Sequence, residues 1–397
     1  MTAPGAAADA VWQERLRSDI ESIYGELTDG FRTRPRVAEL VYAAAELFPD
    51  QLPSRAAIDA ERESLQKDKQ GLEISQGVFV AHVLAHERAG FHLIHSMSQA
   101  TPAALALLDE FRRDGQVDLG PIRVDRDDDV GYVTIQNHAH LNSEDDASVA
   151  ALEVAVDLVL LDDAIRVGVL RGSAATHPKY AGRRIFGSGI NLDHLYQGKI
   201  SLLEFMLERD LGLVSKMYRG HDLGSYEETV LESRREKPWV AAVDTFAIGG
   251  ACQFLLVMDY VIAEQDSYFV LPARKEGIIP GCANLRLPRF VGERAARQAL
   301  FFNRTFPANS PGGLLLADEV LPAGEMDAAI RTAATEVISA GATSLVANRQ
   351  ALRKAQEPLD LFRRYMAGYA REQARCLYSP ALIDNLERNW NARRQAR

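Results

Sequence analysis

Cysteine is scarce: the 397-residue chain has three, Cys252, Cys282 and Cys376, none in C-x-x-C spacing. A disulfide framework and a cysteine-based zinc or redox motif are thereby excluded, and a reducing, cytoplasmic setting is expected. No stretch approaches about eighteen consecutive apolar residues, so no membrane span is expected. The start, MTAPGAAADAVWQERLRSD, lacks a cationic segment followed by an apolar one, so no secretory signal is expected either. Positive charge is also short. With 45 basic against 55 acidic residues and a net charge of −10, a nucleic-acid-binding surface is not expected. The apolar and charged fractions, 47% and 25%, are those of a soluble globular protein. A chain of this length buries a large core and holds two or three structural units.

Small residues dominate positions 1–10, which read as a disordered tail. From about 11 to 114 apolar residues such as Val37, Leu40, Val41, Ala44 and Leu47 recur at helical spacing, punctuated by Pro35, Pro49, Pro53 and Pro102. Gly115, Gly120 and Pro121 break that pattern, which sets an N-terminal helical region at 1–115. Short strand-like runs (RVDRDDDVGYVTIQN, IRVGVLRG, WVAAVDTFAI, YVIAEQ, YFVLP) then alternate with helical stretches such as 145–163, so 121–325 reads as an α/β core. Residues 326–397 turn helical again. The polar stretch 218–237 fits a mobile loop or a short surface helix equally well.

Two glycine turns carry the chemistry. Residues 239–248 (WVAAVDTFAI) are of strand type, 251–262 (ACQFLLVMDYVI) have apolar residues at helical spacing, and the change of period falls on Gly249-Gly250. Glycine permits positive φ and lets a carbonyl approach the backbone, and a helix N-terminus adds partial positive charge. That is half of an oxyanion hole, or simply a turn between two packed elements. A second glycine turn, Gly187-Ser188-Gly189-Ile190, follows the strand candidate 165–170 and leads into another helix start about sixty residues upstream of the first. Downstream stands FVLPARKEGIIPG, from Phe269 to Gly281.

In order and spacing these segments resemble the crotonase (enoyl-CoA hydratase/isomerase) superfamily. Its pattern is a G-A-D-like oxyanion turn, a G-G-G-C-E-like strand-to-helix turn, then F-x-x-P-E-x-x-x-G-x-x-P-G. The match spans roughly 120–325. It implies a ββα spiral core with perpendicular sheets, and C-terminal helices that cover the active site and build a homotrimer or hexamer. Three segments, HPKYAGRRIFGSGINLDHL, EKPWVAAVDTFAIGGACQ and KEGIIPGCANLRLPRF, together with the helical N-terminal extension, resemble the cofactor-independent dioxygenase branch, which acts in dihydroxyphenylglycine and glycopeptide-antibiotic biosynthesis.

The resemblance puts the oxyanion donors on the backbone N–H groups of Ile190 and Gly250, with Gly189 and Gly249 shaping the turns. Hydratases handle water with two glutamates, and the matching positions here hold Gln253 and Ala273. Neither can serve as a carboxylate base. An arylacetyl-CoA substrate reacting with O2 as co-substrate, without metal or flavin, accounts for that loss. Another acyl-CoA isomerase or thioester hydrolase, or a catalytically silent scaffold, is the alternative. The branch resemblance assigns Glu144 to the ring hydroxyls, or to a plain helix start; Arg209 to a phenolate or the enolate, or to an ion pair with Glu208, Asp210 or another acid; and Gln253 to the peroxide or carbonyl, or to an ordinary buried hydrogen bond. His177, Lys179, Arg183 and Arg184 fall to CoA, or to a solvated basic turn. Ile279 falls to the acyl pocket, and with Ile190, Ile248, Phe269 and Ile278 it would make a dry, O2-holding surface or ordinary core. Glu276 stands three residues past the family's second glutamate, with a salt bridge as its simplest role.

His82 and His86 have metal-ligand spacing on a helical stretch that also holds His92 and His95, but no recognisable motif supplies further ligands, so helix packing is expected and no metal. Ser188 is not a nucleophile elbow, because G-x-S-x-G requires glycine where Phe186 stands.

Overall fold

The computed structural model describes residues 4–224, 234–339 and 341–391. Its first helix is Pro4–Leu27, so residues 4–10 of the expected tail are helical, and 1–3 lie outside the described residues. Five further α-helices follow up to Asp114: Val37–Leu47, Arg55–Arg62, Glu73–Ala85, Glu87–Met97 and Pro102–Asp114. The last shows why sequence marks their ends: Thr101 caps it by accepting the Ala104 N–H at 3.2 Å, Pro102 opens it, and Gly115 closes it in the left-handed region at φ 70.

A seven-stranded sheet forms the centre, in the order 116–118, 122–127, 130–135, 167–172, 239–243, 260–264, 319–321. The first three strands pair antiparallel and every later pairing is parallel. Alternation along 239–243 feeds both faces: Trp239, Ala241 and Val243 join the main core, while Val240 and Ala242 meet the helix Met326–Ser339 through Ile330 and Ala333. Gly168 is glycine because the Trp239 ring lies on it; a Cβ there would stand 2.5 Å from the ring.

Two readings of single elements need correction. The run 239–248 is not one strand: it breaks at Asp244-Thr245, and Phe246–Ile248 joins a separate three-stranded sheet beside Tyr268–Val270, which also pairs with Thr305–Pro307. Nor is 251–262 one helix, since the helix Gly250–Leu255 gives way to the strand Tyr260–Glu264. Apolar runs of this length satisfy both periods, and pairing with Trp239–Val243 and Glu319–Leu321 decides the second half. Within 218–237, His221-Asp222 pairs with Arg234-Arg235, and 225–233 lie outside the described residues.

The C-terminal helix Leu359–Leu377 docks on Glu73–Ala85, where Gly77 allows close approach: a Cβ there would meet Ala374 at 2.5 Å. N-terminal helices, sheets and this C-terminal helix therefore share one continuous apolar core across the positions expected as boundaries. Among the described residues no helix is long and apolar enough to cross a membrane.

Candidate active site

The two glycine turns lie side by side. Ile248 N–H donates to Gly187 O at 3.1 Å and Gly187 N–H to Phe246 O at 3.4 Å. Gly249 sits at φ 56 and Gly189 at φ 81, conformations that side chains disfavour. Space enforces the same choice, because a Cβ on Gly189 would stand 2.8 Å from Ile248 O and 3.4 Å from Gly250 N. A third segment is tied in when Glu144 N–H donates to Gly189 O and Asn191 N–H donates to Glu144 O, both at 2.7 Å. Among the described residues neither the Ile190 N–H nor the Gly250 N–H has a hydrogen-bond acceptor. Two convergent free donors, one of them at a helix N-terminus, are what a developing oxyanion requires.

Beside these donors lies a small, partly open cavity of about 30 Å³, room for one or two small molecules but not for an acyl chain without movement. Phe205, Met206, Arg209 and Asp210 reach it from π-helical turns spanning Leu202–Leu207 and Arg209–Leu213. Phe205 and Arg209, and Met206 and Asp210, stand four residues apart, which sets these four side chains on one face. Ile190, Ile278 and Ile279 supply apolar walls, and Tyr369 closes the cavity from the C-terminal helix. Ile279 is held by its N–H donating to Gln373 Oε1 at 2.9 Å. Phe269 and Ile248, expected in the same wall, do not line it; Phe269 is in the core.

Arg209 organises the polar side. Its Nε donates to Glu144 Oε2 at 2.5 Å and its Nη2 to Glu144 Oε1 at 3.3 Å, while Nη1 donates to Gln253 Oε1 at 2.9 Å and Nη2 to Gly250 O at 2.8 Å. The Phe254 ring stacks under the guanidinium at 4.6 Å. The ion-pair partner of Arg209 is thus Glu144, with Asp210 at 4.0 Å. Glu144 precedes the helix that starts at Asp146, whose cap is Asp145, so capping is not its role. Gln253 presents its carbonyl to Arg209, which leaves its amide N–H groups for the cavity.

Glu276 was underrated by sequence reasoning. The short helix Ala273–Glu276 brings it to the cavity, with its carboxyl oxygens close to Gly249. It is buried, and among the described residues it makes no salt bridge. Burial, reinforced by the nearby Glu144 charge, pushes its pKa up to about 7. Asp210, Met206 and Tyr369 are also cavity residues that sequence reasoning did not single out; only the register of the π-turns and the docking of a distant helix bring them in. The simplest sequence signal for Glu276 was its i+3 relation to the family position.

The residues expected near CoA divide. Arg184 donates to Asp244 at 3.0 Å and Asp327 at 2.7 Å, and Arg183 donates to Asp244 O at 3.1 Å and Glu264 at 3.3 Å. Both guanidinium groups are therefore engaged within the protein. Lys179 is exposed, with its ammonium 5.1 Å from the Tyr180 ring, and His177 accepts the Lys179 N–H at 3.2 Å. Ser188 donates to His140 O at 3.2 Å. The helical histidines serve packing: His92 lies between Tyr24 and Phe31, His86 caps a helix and His95 faces Asp222.

The enoyl-CoA hydratase/isomerase family model matches residues 125–369. The chain is 46% identical over 371 residues, 93% of its length and 84% of the relative's, to (3,5-dihydroxyphenyl)acetyl-CoA 1,2-dioxygenase of Amycolatopsis orientalis. It is 23% identical over 243 residues to the short-chain-enoyl-CoA hydratase of Clostridium acetobutylicum, covering 61% of this chain and 84% of that one. In fold it is similar to an enoyl-CoA hydratase/isomerase from Xanthobacter autotrophicus Py2, with a TM-score of 0.56 and 20% identity over 70% of this chain and 96% of that one.

Proposed function

The chain belongs to the enoyl-CoA hydratase/isomerase family, and on that premise we propose that it is a metal- and flavin-independent dioxygenase converting (3,5-dihydroxyphenyl)acetyl-CoA and O2 to (3,5-dihydroxyphenyl)glyoxylate and free CoA, in antibiotic biosynthesis. The observation that carries this reading is the likeness to the dioxygenase over nearly the whole chain, N-terminal helices included. The site's chemistry supports it. The thioester oxygen sits between the N–H groups of Ile190 and Gly250, which hold charge as the Cα proton leaves; losing one such donor typically costs about 3 kcal/mol of barrier.

Acidified by thioester and aryl ring, the Cα carbanion is electron-rich enough to reduce O2. Electron transfer and recombination form a C–O bond at Cα. The terminal peroxide oxygen then attacks the thioester carbonyl and expels CoA thiolate. Cleavage of the O–O bond with loss of the second Cα proton leaves the arylglyoxylate, both of whose new oxygens come from O2. In sum, substrate and O2 give arylglyoxylate, CoA thiolate and two protons. Glu144, paired with Arg209, faces the ring hydroxyls, Gln253 offers N–H to the peroxide, and the isoleucine walls keep water from the enolate. Lys179 and His177 meet the CoA. Exposed Phe301, Phe302, Leu314 and Leu315 support assembly into a homotrimer or hexamer.

The test is O2 consumption and thiol release by metal-free, flavin-free protein with this thioester. Stoichiometric O2 uptake with doubly labelled product under ¹⁸O2 is expected. Thiol release without O2 uptake would make the protein a hydrolase, and product carrying one label or none would overturn the peroxide route.

A further inference from the structure

We infer that Glu276 is the base that removes the Cα proton, a role that rests on the acyl-CoA reading above. Four side chains with acidic or phenolic protons line the cavity: Glu144, Asp210, Glu276 and Tyr369. Both Glu144 oxygens are occupied by hydrogen bonds from Arg209. Asp210 lies 4.0 Å from the same guanidinium and accepts the Cys282 N–H at 3.2 Å. Burial raises the Tyr369 pKa well above its ordinary value, so its phenol stays protonated. Glu276 is the carboxyl left without such stabilisation among the described residues.

Its position fits the task. A Cβ built on Gly249 would lie 3.7 Å from Glu276 Oε1 and 4.0 Å from Oε2, so both oxygens overhang the turn whose next N–H, that of Gly250, holds the enolate oxygen. The left-handed Gly277 (φ 77) closes the short helix with its N–H on Ala273 O at 2.8 Å and fixes that direction. In the step, the Cα–H bond breaks, its electron pair enters the enolate and the proton goes to a Glu276 oxygen. The charged and titratable groups facing this carboxyl are Glu144, Arg209, Asp210 and Tyr369 across the cavity and Lys275 beside it. Burial and Glu144 place its titration near neutrality, where a base serves best at physiological pH.

The experiment is exchange of the Cα protons of (3,5-dihydroxyphenyl)acetyl-CoA with D2O, followed by proton NMR under strict anaerobiosis, with O2 uptake measured separately in air. The wild-type protein is expected to exchange without O2, with a rate that rises with pH through about 7. Glu276→Gln is expected to lose exchange and O2 uptake in parallel, by about a hundredfold or more, while thioester affinity changes less than about threefold. Glu276→Asp, the conservative variant, is expected to retain part of both rates. Wild-type exchange in Glu276→Gln, or rate losses in both variants matched by equal losses of affinity, would overturn the role. Exchange by the wild type without O2 uptake in air would overturn the dioxygenase reading and leave the assignment of Glu276 standing. Absence of both in the wild type would remove the two together.

Discussion

Glu144 and Arg209, 65 residues apart in sequence, form a buried bidentate ion pair over the backbone of Gly250, whose carbonyl accepts from the same guanidinium at 2.8 Å. The pair joins the Glu144 side of the cavity to the Gly249-Gly250 turn through one guanidinium.

Arg209→Lys keeps the charge and loses the fork that spans Glu144, Gln253 and Gly250. It should lower kcat/KM for O2 uptake by about a hundredfold, roughly 3 kcal/mol of transition-state stabilisation. Glu144→Gln should fall similarly and should discriminate less between dihydroxyphenyl and phenyl thioesters. Steady-state oxygen-electrode kinetics with the two thioesters reads both effects.

Gly250→Ala is the smallest change that should dismantle the site. A Cβ at this position would stand 2.0 Å from Glu144 Oε1 and 2.9 Å from Arg209 Nη2. Because the backbone of Gly250 itself is ordinary helix start, the fold should survive. Circular dichroism should match the wild type while O2 uptake falls by at least about a hundredfold.

Glu276 should leave a signature in stability. Its pKa rises from 4.5 to about 7 on folding, so its contribution is fully present below pH 4.5 and is lost as pH rises through 7. Gln cannot ionise, so Glu276→Gln should equal the wild type below pH 4.5 and exceed it at pH 8 by about 1–3 kcal/mol. Denaturant unfolding across that range measures the difference.

Lys179 and Arg184 should separate binding from structure. Lys179→Ala should raise KM for the CoA thioester by about threefold to tenfold, with kcat and thermal stability kept, as for loss of one phosphate contact. Arg184→Ala removes the partner of Asp244, a carboxyl that burial already pushes up to about 6, and should lower the melting temperature. Thermal melts beside KM measurements distinguish the two.

Glu357 accepts hydrogen bonds from Arg219, Arg286 and Arg289. Although burial opposes ionisation, these arginines hold its pKa down to about 2, so its contribution is present above pH 4.5 and is lost as pH falls through 2. Glu357→Gln should cost about 3–5 kcal/mol at neutral pH, because it leaves buried guanidinium groups uncompensated. Urea unfolding at pH 7 tests this.

What sequence determined about this protein is local. Gly189 and Gly249 are legible because positive φ is a property of one residue, and the change of period at Gly249-Gly250 is a property of a few neighbours. The loss of carboxylates at Gln253 and Ala273 is likewise a matter of residue type at a recognisable spacing. Tertiary structure decided whatever depends on a partner far along the chain. Strand pairing, which residue period does not specify, split 239–248 between two sheets and decided for strand at 260–262, where the helical spacing of 251–262 overlaps the strand-like run YVIAEQ. Packing of the helical turns 202–213 beside the segment that holds Glu144 pairs Arg209 with that residue, 65 positions away, rather than with its neighbour Glu208. Glu276 differs from an ordinary surface glutamate only in its surroundings: burial and a nearby carboxylate raise its pKa, and both arise from the packing of segments that are remote in sequence.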